Sequence, residues 1–381
     1  VSLIKSCGAI YAGTIYQTIR EINPATYIGE GKLLELKERL EGLDVTVLFN
    51  GELSPTQTLN ISTAIGNLKV IDRTTLILDI FAKNAKSNEG KLQVELAQLK
   101  YIYPRLKGKG AALSRLGGGI GTRGPGESKL ETDRRKIRLK INLLQRRIQE
   151  LSDRRKNTAA RRKKNNVNSI ALVGYTNVGK SSLMNFLTNS MVYSDDLLFA
   201  TLDTTTRKCI INDTEFILTD TVGFIRQLPH DLISAFESTL ESALNCDLLL
   251  IVCDASDNYS TQFNTTLSVL QNLKINTPYL QVINKCDLIK DRSNFPPNCI
   301  FVSAQNGSGI EKLKAEIVDF FAKNRTICDL RIPYSELNAY FKNQNLIREL
   351  TFNYQDSYLE VKADIPNIHL QKFTKYRFIK N

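Results

Sequence analysis

Two kinds of apolar pattern run along the chain. In the first, Leu92, Leu96, Leu99, Tyr103 and Leu106 are spaced four, three, four and three residues apart, and Ile137, Ile141, Leu144, Ile148 and Leu151 repeat that alternation. Such spacing keeps the apolar side chains on one stripe of a helix and predicts a coiled-coil seam between two helices. In the second, short apolar runs stand between polar stretches, at residues 170–173, 216–219, 248–253, 280–283 and 299–302. Runs this short predict strands buried in a sheet. A helix-like run, 182–187, follows the first of them. The tail, 329–381, alternates around Tyr358, Leu359 and Val361 and predicts a small α/β domain without an assignable motif.

Between the two seam-forming stretches lie Gly108, Gly110, Gly117, Gly118, Gly119, Gly121, Gly124 and Gly126, interspersed with Lys107, Lys109, Arg115 and Arg123. Each glycine costs a helix ~1 kcal/mol against alanine, so this segment is not expected to stay helical. The prediction is an antiparallel helical hairpin with a flexible basic tip suited to a narrow, negatively charged cavity. The alternative is a linker without a role. Gly119-Ile-Gly121 is not preceded by a strand, which argues against a dinucleotide site.

Charge sharpens this picture. The net charge is +12, yet residues 104–164 carry 20 basic and 5 acidic residues, so the remainder of the chain is slightly acidic. A concentrated basic stretch on a near-neutral body is the footprint of a polyanion binder, foremost a nucleic acid. A solvated helix and an anionic membrane surface are the other readings. At ~100–200 residues per domain, 381 residues predict two to three domains. With 42% hydrophobic and 24% charged residues the composition is globular, not disordered. No apolar run approaches the ~20 residues of a membrane span, and no basic-then-apolar leader opens the chain. Seven scattered cysteines fit a reducing cytoplasm, and only His230 and His369 are available for a His-based metal centre, which makes one improbable.

The chemistry lies at the ends of the predicted strands. Gly174-Tyr-Thr-Asn-Val-Gly179-Lys180-Ser181 matches GxxxxGK[ST] between a strand and a helix. Gly174, Asn177, Val178, Gly179 and Ser182 belong to this phosphate cradle. Lys180 would reach the β- and γ-phosphates, and Ser181 would ligate Mg²⁺. Asp220-Thr-Val-Gly223 ends the strand 216–219: Asp220 would hold Mg²⁺ through water and the Gly223 N–H would sense the γ-phosphate. Asn284-Lys285-Cys-Asp287 ends the strand 280–283, where the Asp287 carboxylate matches guanine N1–H and N2 and rejects adenine by ~10⁴-fold or more. Ser303-Ala304 would add the contact of the Ala304 N–H with O6. Four motifs in order predict a GTP and GDP site. The first switch, Phe199-Ala200-Thr201-Leu-Asp203-Thr-Thr205-Thr206, offers several Mg²⁺-binding threonines, with Thr201 favoured over Thr205 and Thr206. After Gly223 comes Phe224, where a water-orienting Gln would be needed. Intrinsic hydrolysis should therefore be slow unless a K⁺ ion or a partner supplies the missing group. Asn177 is either a K⁺ ligand or a loop-stabilising amide.

Segments outside these motifs carry a resemblance. Ala25-Thr-Tyr-Ile-Gly29-Glu-Gly-Lys32, Asn50-Gly-Glu-Leu-Ser-Pro-Thr-Gln57, the run from Val70 to Phe81, the run 89–106, and Gly117 through Arg135 resemble the HflX GTPases, as do Phe199-Ala-Thr-Leu-Asp203 and Asp220-Thr-Val-Gly-Phe224. The resemblance covers about residues 5–325. It implies an α/β chain in which a P-loop GTPase domain (166–326) follows an N-terminal α/β domain (1–86) and a helical hairpin (87–165), and precedes a small C-terminal α/β domain (327–381). It also implies Mg²⁺ at Ser181 and Thr201, and binding to the large ribosomal subunit and its rRNA rather than to DNA. Ribosome-stimulated GTP hydrolysis and splitting of stalled or idle ribosomes under stress by a cytoplasmic monomer complete the expectation. The candidate rRNA contacts are Lys107, Lys109, Arg115 and Arg123. An assembly or silencing factor acting as a nucleotide-dependent switch is the alternative. The family usually has a further strand and a longer first helix before the equivalent of Cys7, so a trimmed or reduced N-terminal domain is expected here.

Overall fold

A computed structural model of the chain describes all residues except 115–124, 165–166, 189–198, 200–203, 213, 226–239, 241–243, 245, 324 and 379–381, and describes no side chains at 107–114, 125–130, 156, 158–164, 345, 348 and 368. The described residues fall into two units. One holds residues within 1–151 together with Phe199; the other holds residues within 152–194, 204–225 and 239–381.

In the first unit, α1 (Ser2–Cys7) and α2 (Glu30–Leu40) precede β1 (Thr46–Phe49), α3 (Pro55–Ala64), β2 (Lys69–Asp72) and α4 (Arg73–Asn84). β1 and β2 are parallel, and α3 supplies the crossover that such a pair needs. The start of α3 is written in the sequence. Ser54 and Gln57 form a reciprocal capping box, and Pro55 sits where a helix has no use for its N–H. Leu33, Leu36, Leu53, Ile61 and Val70 build the core between these elements.

Asp72 ends β2 and caps α4, accepting from the Thr75 N–H at 2.9 Å. Its other oxygen accepts from the Leu53 N–H at 3.2 Å and from the Tyr101 hydroxyl, with Arg105 at 3.6 Å. Tyr101 and Arg105 lie on α5 (Asn88–Ser114), so one buried carboxylate clamps the base of the hairpin to the domain. Leu92, Leu96 and Leu99 of α5 pack on Ile141, Leu144 and Ile148 of α6 (Pro125–Lys164), which is the seam read from the sequence.

Here the structure corrects one expectation. Helix α5 does not stop at the glycines: it runs through Gly108 and Gly110 to Ser114, and Gly126 lies in the first turn of α6. Nucleation is the costly step of helix formation, so a helix already fixed by its seam extends over a few poor residues at ~1 kcal/mol each. Pro104 inside α5 is carried in the same way at a higher cost, ~3 kcal/mol, because it has no N–H to donate.

The second unit contains a six-stranded sheet in the order β4-β5-β3-β6-β7-β8. Its strands are β3 (Asn168–Gly174), β4 (Thr205–Ile211), β5 (Thr214–Asp220), β6 (Leu248–Asp254), β7 (Tyr279–Asn284) and β8 (Ile300–Phe301). β4 is antiparallel to β5 and the other neighbours are parallel. Helices α7 (Lys180–Thr188), α8 (Tyr259–Asn272) and α9 (Ile310–Lys323) accompany them. β6 is buried along its whole length, as its unbroken apolar run predicts for a parallel strand covered on both faces. The core combines Ile170, Leu172, Phe216, Leu218, Leu250 and Phe321. After β3 the chain passes to β5 on one side and β6 on the other. In such sheets ligands bind beside this switch point, outside the carboxyl ends of the strands.

A second, antiparallel sheet has the order β10-β11-β9-β12: β9 (Arg325–Pro333), β10 (Arg348–Tyr354), β11 (Tyr358–Pro366) and β12 (Arg377–Phe378). With α10 (Leu337–Asn343) and α11 (Leu370–Phe373) it encloses Leu330, Ile332, Tyr340, Val361, Ile365 and Phe373. Among the described residues no helix is long and apolar enough to cross a membrane.

Candidate nucleotide site

The site is assembled from what three strands release at their carboxyl ends. β3 ends in Gly174, and the loop that follows leads into Lys180 at the start of α7. Lys180 is buried, and its Nζ donates to the carbonyls of Tyr175 at 2.8 Å and Gly174 at 3.4 Å. Burial pushes its pKa down to about 8, against the opposing pull of the Asp220 carboxylate. Asp220 ends β5 and is fully buried. Burial also raises its pKa; Lys180, the Ser181 hydroxyl and the Thr221 N–H pull it back. Each of these charges is held with incomplete compensation, as in a site shaped for a charged ligand.

The donor set fits a hard divalent cation. The Ser181 hydroxyl donates to Asp220 Oδ2 at 2.6 Å, while Oδ1 is buried with no hydrogen-bond partner among the described residues. A buried unsatisfied oxygen costs ~1–3 kcal/mol, and an adjacent hydroxyl and carboxylate are the oxygen ligands Mg²⁺ takes. Thr201, favoured from the sequence as the further ligand, lies outside the described residues, as do Ala200 and Asp203. Of the other candidates, Thr205 stands opposite Asp220 in the β4–β5 ladder, and the Thr206 hydroxyl lies 3.3 Å from that of Thr219.

Gly223 is placed against the phosphate loop. A Cβ there would stand 2.7 Å from Thr176 Cα and 2.9 Å from Lys180 Nζ, so only glycine permits the approach. The next residue locks it: the Phe224 N–H donates to Gly174 O at 3.0 Å, and the Thr176 N–H donates to Phe224 O at 2.8 Å. The Phe224 ring is 1% exposed. It therefore has nothing to offer a water molecule. Asn177 is exposed with φ 62°, a left-handed conformation that asparagine tolerates better than most residues.

Asn284 at the end of β7 joins three segments. Its Nδ2 donates to Val178 O at 2.8 Å, and its Oδ1 accepts from the Ala304 N–H at 3.0 Å. Gly179 (φ 84°) lies so close that a Cβ would collide with that Nδ2. The Ala304 N–H assigned from sequence to guanine O6 is thus engaged with Asn284 in this structure. Ser303 is buried, its hydroxyl receiving the N–H groups of Gln305 and Asn306 at 3.3 Å each. Asp287 stands exposed in the 3₁₀ turn Cys286–Leu288, which the buried Cys286 anchors through its N–H to Val302 O at 3.1 Å. Ser182 is half-buried on α7, next to Ser181.

Phe199 is buried within the first unit, its ring edge-on to Phe81 with 4.7 Å between centroids and its carbonyl accepting from Asn84 Nδ2 at 2.8 Å. Arg115 and Arg123 lie outside the described residues, and the side chains of Lys107 and Lys109 are not described. The sequence reading passed over Asp254, which ends β6 and pairs with Lys285 at 2.6 Å. Its signal was a carboxylate at the mouth of the most apolar strand of the chain.

Comparison with known proteins adds to this geometry. Residues 1–82 match the family described as GTP-binding GTPase N-terminal, 84–162 GTP-binding GTPase Middle Region, and 169–285 50S ribosome-binding GTPase. The GTPase HflX of Caldanaerobacter subterraneus subsp. tengcongensis is 46% identical over 367 residues, covering 95% of this chain and 86% of that protein. The GTPase HflX of Escherichia coli is 41% identical over 346 residues, covering 88% and 81%. Among solved structures, a GTP-binding protein from Sulfolobus solfataricus in complex with GDP is 26% identical, with TM-score 0.44, covering 84% of this chain and 93% of that one.

Proposed function

As the chain belongs to the HflX family of GTPases, which bind and hydrolyse GTP, we propose that it docks on the large ribosomal subunit and uses its GTP cycle to split or rescue stalled or idle ribosomes in the cytoplasm. The observation that carries this reading is the cationic surface of α6. Arg135, Lys136, Arg138, Lys140, Arg146 and Arg147 are all exposed on the helix whose apolar stripe is sealed against α5. A basic rod joined to a GTP site is what a factor needs to grip rRNA under nucleotide control.

The chain's own groups divide the hydrolytic work as follows. Lys180 neutralises the β- and γ-phosphates, and the Gly223 backbone registers the γ-phosphate. Ser181 and Asp220 would hold Mg²⁺, with Thr201 as the further ligand; when bound, the ion supplies charge neutralisation across the phosphate oxygens. Phe224 keeps an apolar ring where a water-orienting amide is required. Turnover therefore waits on a group supplied by the docked ribosome. The alternative source of the missing group is a K⁺ ion at Asn177, whose left-handed backbone is compatible with that role; equal turnover in KCl and NaCl would reject it.

Light scattering of intact ribosomes mixed with the protein tests the proposal. A fall in scattering is expected with GTP and with a non-hydrolysable analogue alike, because binding drives separation and hydrolysis resets the factor. Cosedimentation with free large subunits without a fall would favour the assembly or silencing role. Replacing Arg115 and Arg123 together by Ala is expected to weaken large-subunit binding and to reduce the slope of log affinity against log salt by about 1.4–1.8. An unchanged slope across a salt series would remove the tip from the interface.

A further inference from the structure

We propose that Asp254 is a positioning residue for base recognition: it holds Lys285 by its ammonium, so that the Asn284–Asp287 loop meets a purine with its lysine already in place. The inference rests on the reading of that loop as the guanine-recognition segment.

Four contacts converge on Asp254. Its Oδ2 pairs with Lys285 Nζ at 2.6 Å. Its Oδ1 accepts from the Ser256 N–H at 2.8 Å and from the Ser256 hydroxyl at 2.7 Å. Its own N–H donates at 2.8 Å to Oε1 of Gln262, a residue of α8 that is 4% exposed. The Gln262 Nε2 in turn donates to Asp257 Oδ2 at 3.1 Å. Asp254 is thus fixed by backbone and side chain before Lys285 is considered. It also stands opposite Asn284 in the β6–β7 ladder, and the Ala255 N–H donates to Asn284 O at 2.8 Å. The end of β6 is a buttress for the end of β7.

Lys285 needs such a buttress. Its φ is 60°, in the left-handed region that residues with a Cβ adopt only when their surroundings impose it. A free lysine side chain is long and rotamer-rich, and ordering it on ligand binding costs affinity. Pairing it with a 7%-exposed carboxylate orders it beforehand. The four-carbon stem, pinned at both ends, then presents an apolar edge to a planar base. An exposed ion pair would contribute little here. This one is shielded on the acidic side and every acidic oxygen is engaged, which is the situation in which charge-assisted hydrogen bonds hold geometry.

The test is a double-mutant cycle on the full chain, reading dissociation of fluorescently labelled GDP. Asp254→Asn and Lys285→Met are each expected to speed release about 10-fold. The double variant should be no faster than the faster single one, a coupling of about 1.4 kcal/mol. Effects that multiply in the double variant, or release unchanged in Asp254→Asn, would overturn the inference. A purely structural Asp254 would lower the melting temperature without this coupling. If Asp254→Asn does not fold, the cycle is run with Asp254→Glu, which keeps the charge at a different reach. Release should then rise in the wild-type background and stay constant beside Lys285→Met. Asp287→Asn is measured in parallel for xanthine nucleotides. If that variant gains none, the guanine reading itself fails; if it gains and the cycle is multiplicative, only the role of Asp254 fails.

Discussion

Lys180→Met is expected to lower the affinity for GTP and GDP by roughly 100- to 1,000-fold, about 3–4 kcal/mol, the loss of one or two charge-assisted hydrogen bonds to phosphate. The structure makes Lys180 dependent on its ligand. Its ammonium is buried and donates to the carbonyls of Tyr175 and Gly174, and its pKa is depressed to about 8 by that burial. Phosphate oxygens favour the ammonium and return that pKa upward. Binding above pH 8 therefore takes up a proton, and wild-type affinity should fall as pH rises from 8, by up to ~10-fold per unit. The methionine variant has no proton to take up and should show no such slope. Stability of the nucleotide-free protein follows the same linkage with its own sign. The folded pKa lies below the unfolded one, so this group costs stability in full below pH 8, and the cost fades as pH rises toward the ordinary lysine value of ~10.4. Calorimetric titrations of both proteins between pH 7 and 9.5 measure the affinity and its slope together. Equal GDP affinity in the two proteins would reject Lys180 as the phosphate anchor.

What the sequence made legible, and what it hid, divides along physical lines. The strand ends at Gly174, Asp220 and Asn284 were readable because the phosphate and base motifs require particular residues at the mouth of particular strands, and an apolar run before each motif names the strand. The seam of α5 and α6 was readable because a four-three alternation has one physical use at that length. The extent of α5 was not, because local propensity at Gly108 and Gly110 points one way and cooperative extension of an anchored helix points the other. The partnership of Asp254 was hidden for a different reason, although a carboxylate closing the apolar run of β6 marked its place. Its role depends on Lys285 and Gln262, brought together by the β6–β7 register and by α8, and no spacing along the chain expresses a contact between neighbouring strands. The engagement of the Ala304 N–H by Asn284 belongs to the same class.

Asp287→Asn is expected to exchange one base for another. A carboxylate in that turn accepts from both N1–H and the N2 amino group of guanine. An amide can accept one and must present its own N–H to the other, leaving two donors face to face. A buried polar group left unpaired against a ligand costs enough to reject it by ~10⁴-fold, so GTP binding should fall to that extent. Xanthine carries an oxygen where guanine carries N2, and the amide N–H meets it as a partner. Xanthosine diphosphate should therefore bind the variant far better than it binds the parent. The structure favours a clean result. Asp287 is exposed, and its turn is held by the buried Cys286 and by the Leu288 N–H on Lys285 O at 3.0 Å, neither of which the substitution touches. Exposed substitutions away from such anchors shift stability by only ~0.5 kcal/mol or less, so a lost nucleotide cannot be ascribed to a lost fold. Competition of GDP and xanthosine diphosphate against a labelled nucleotide, on parent and variant, measures the exchange directly. Loss of guanine binding with no gain of xanthine would mean that Asp287 shapes the turn without reading the base.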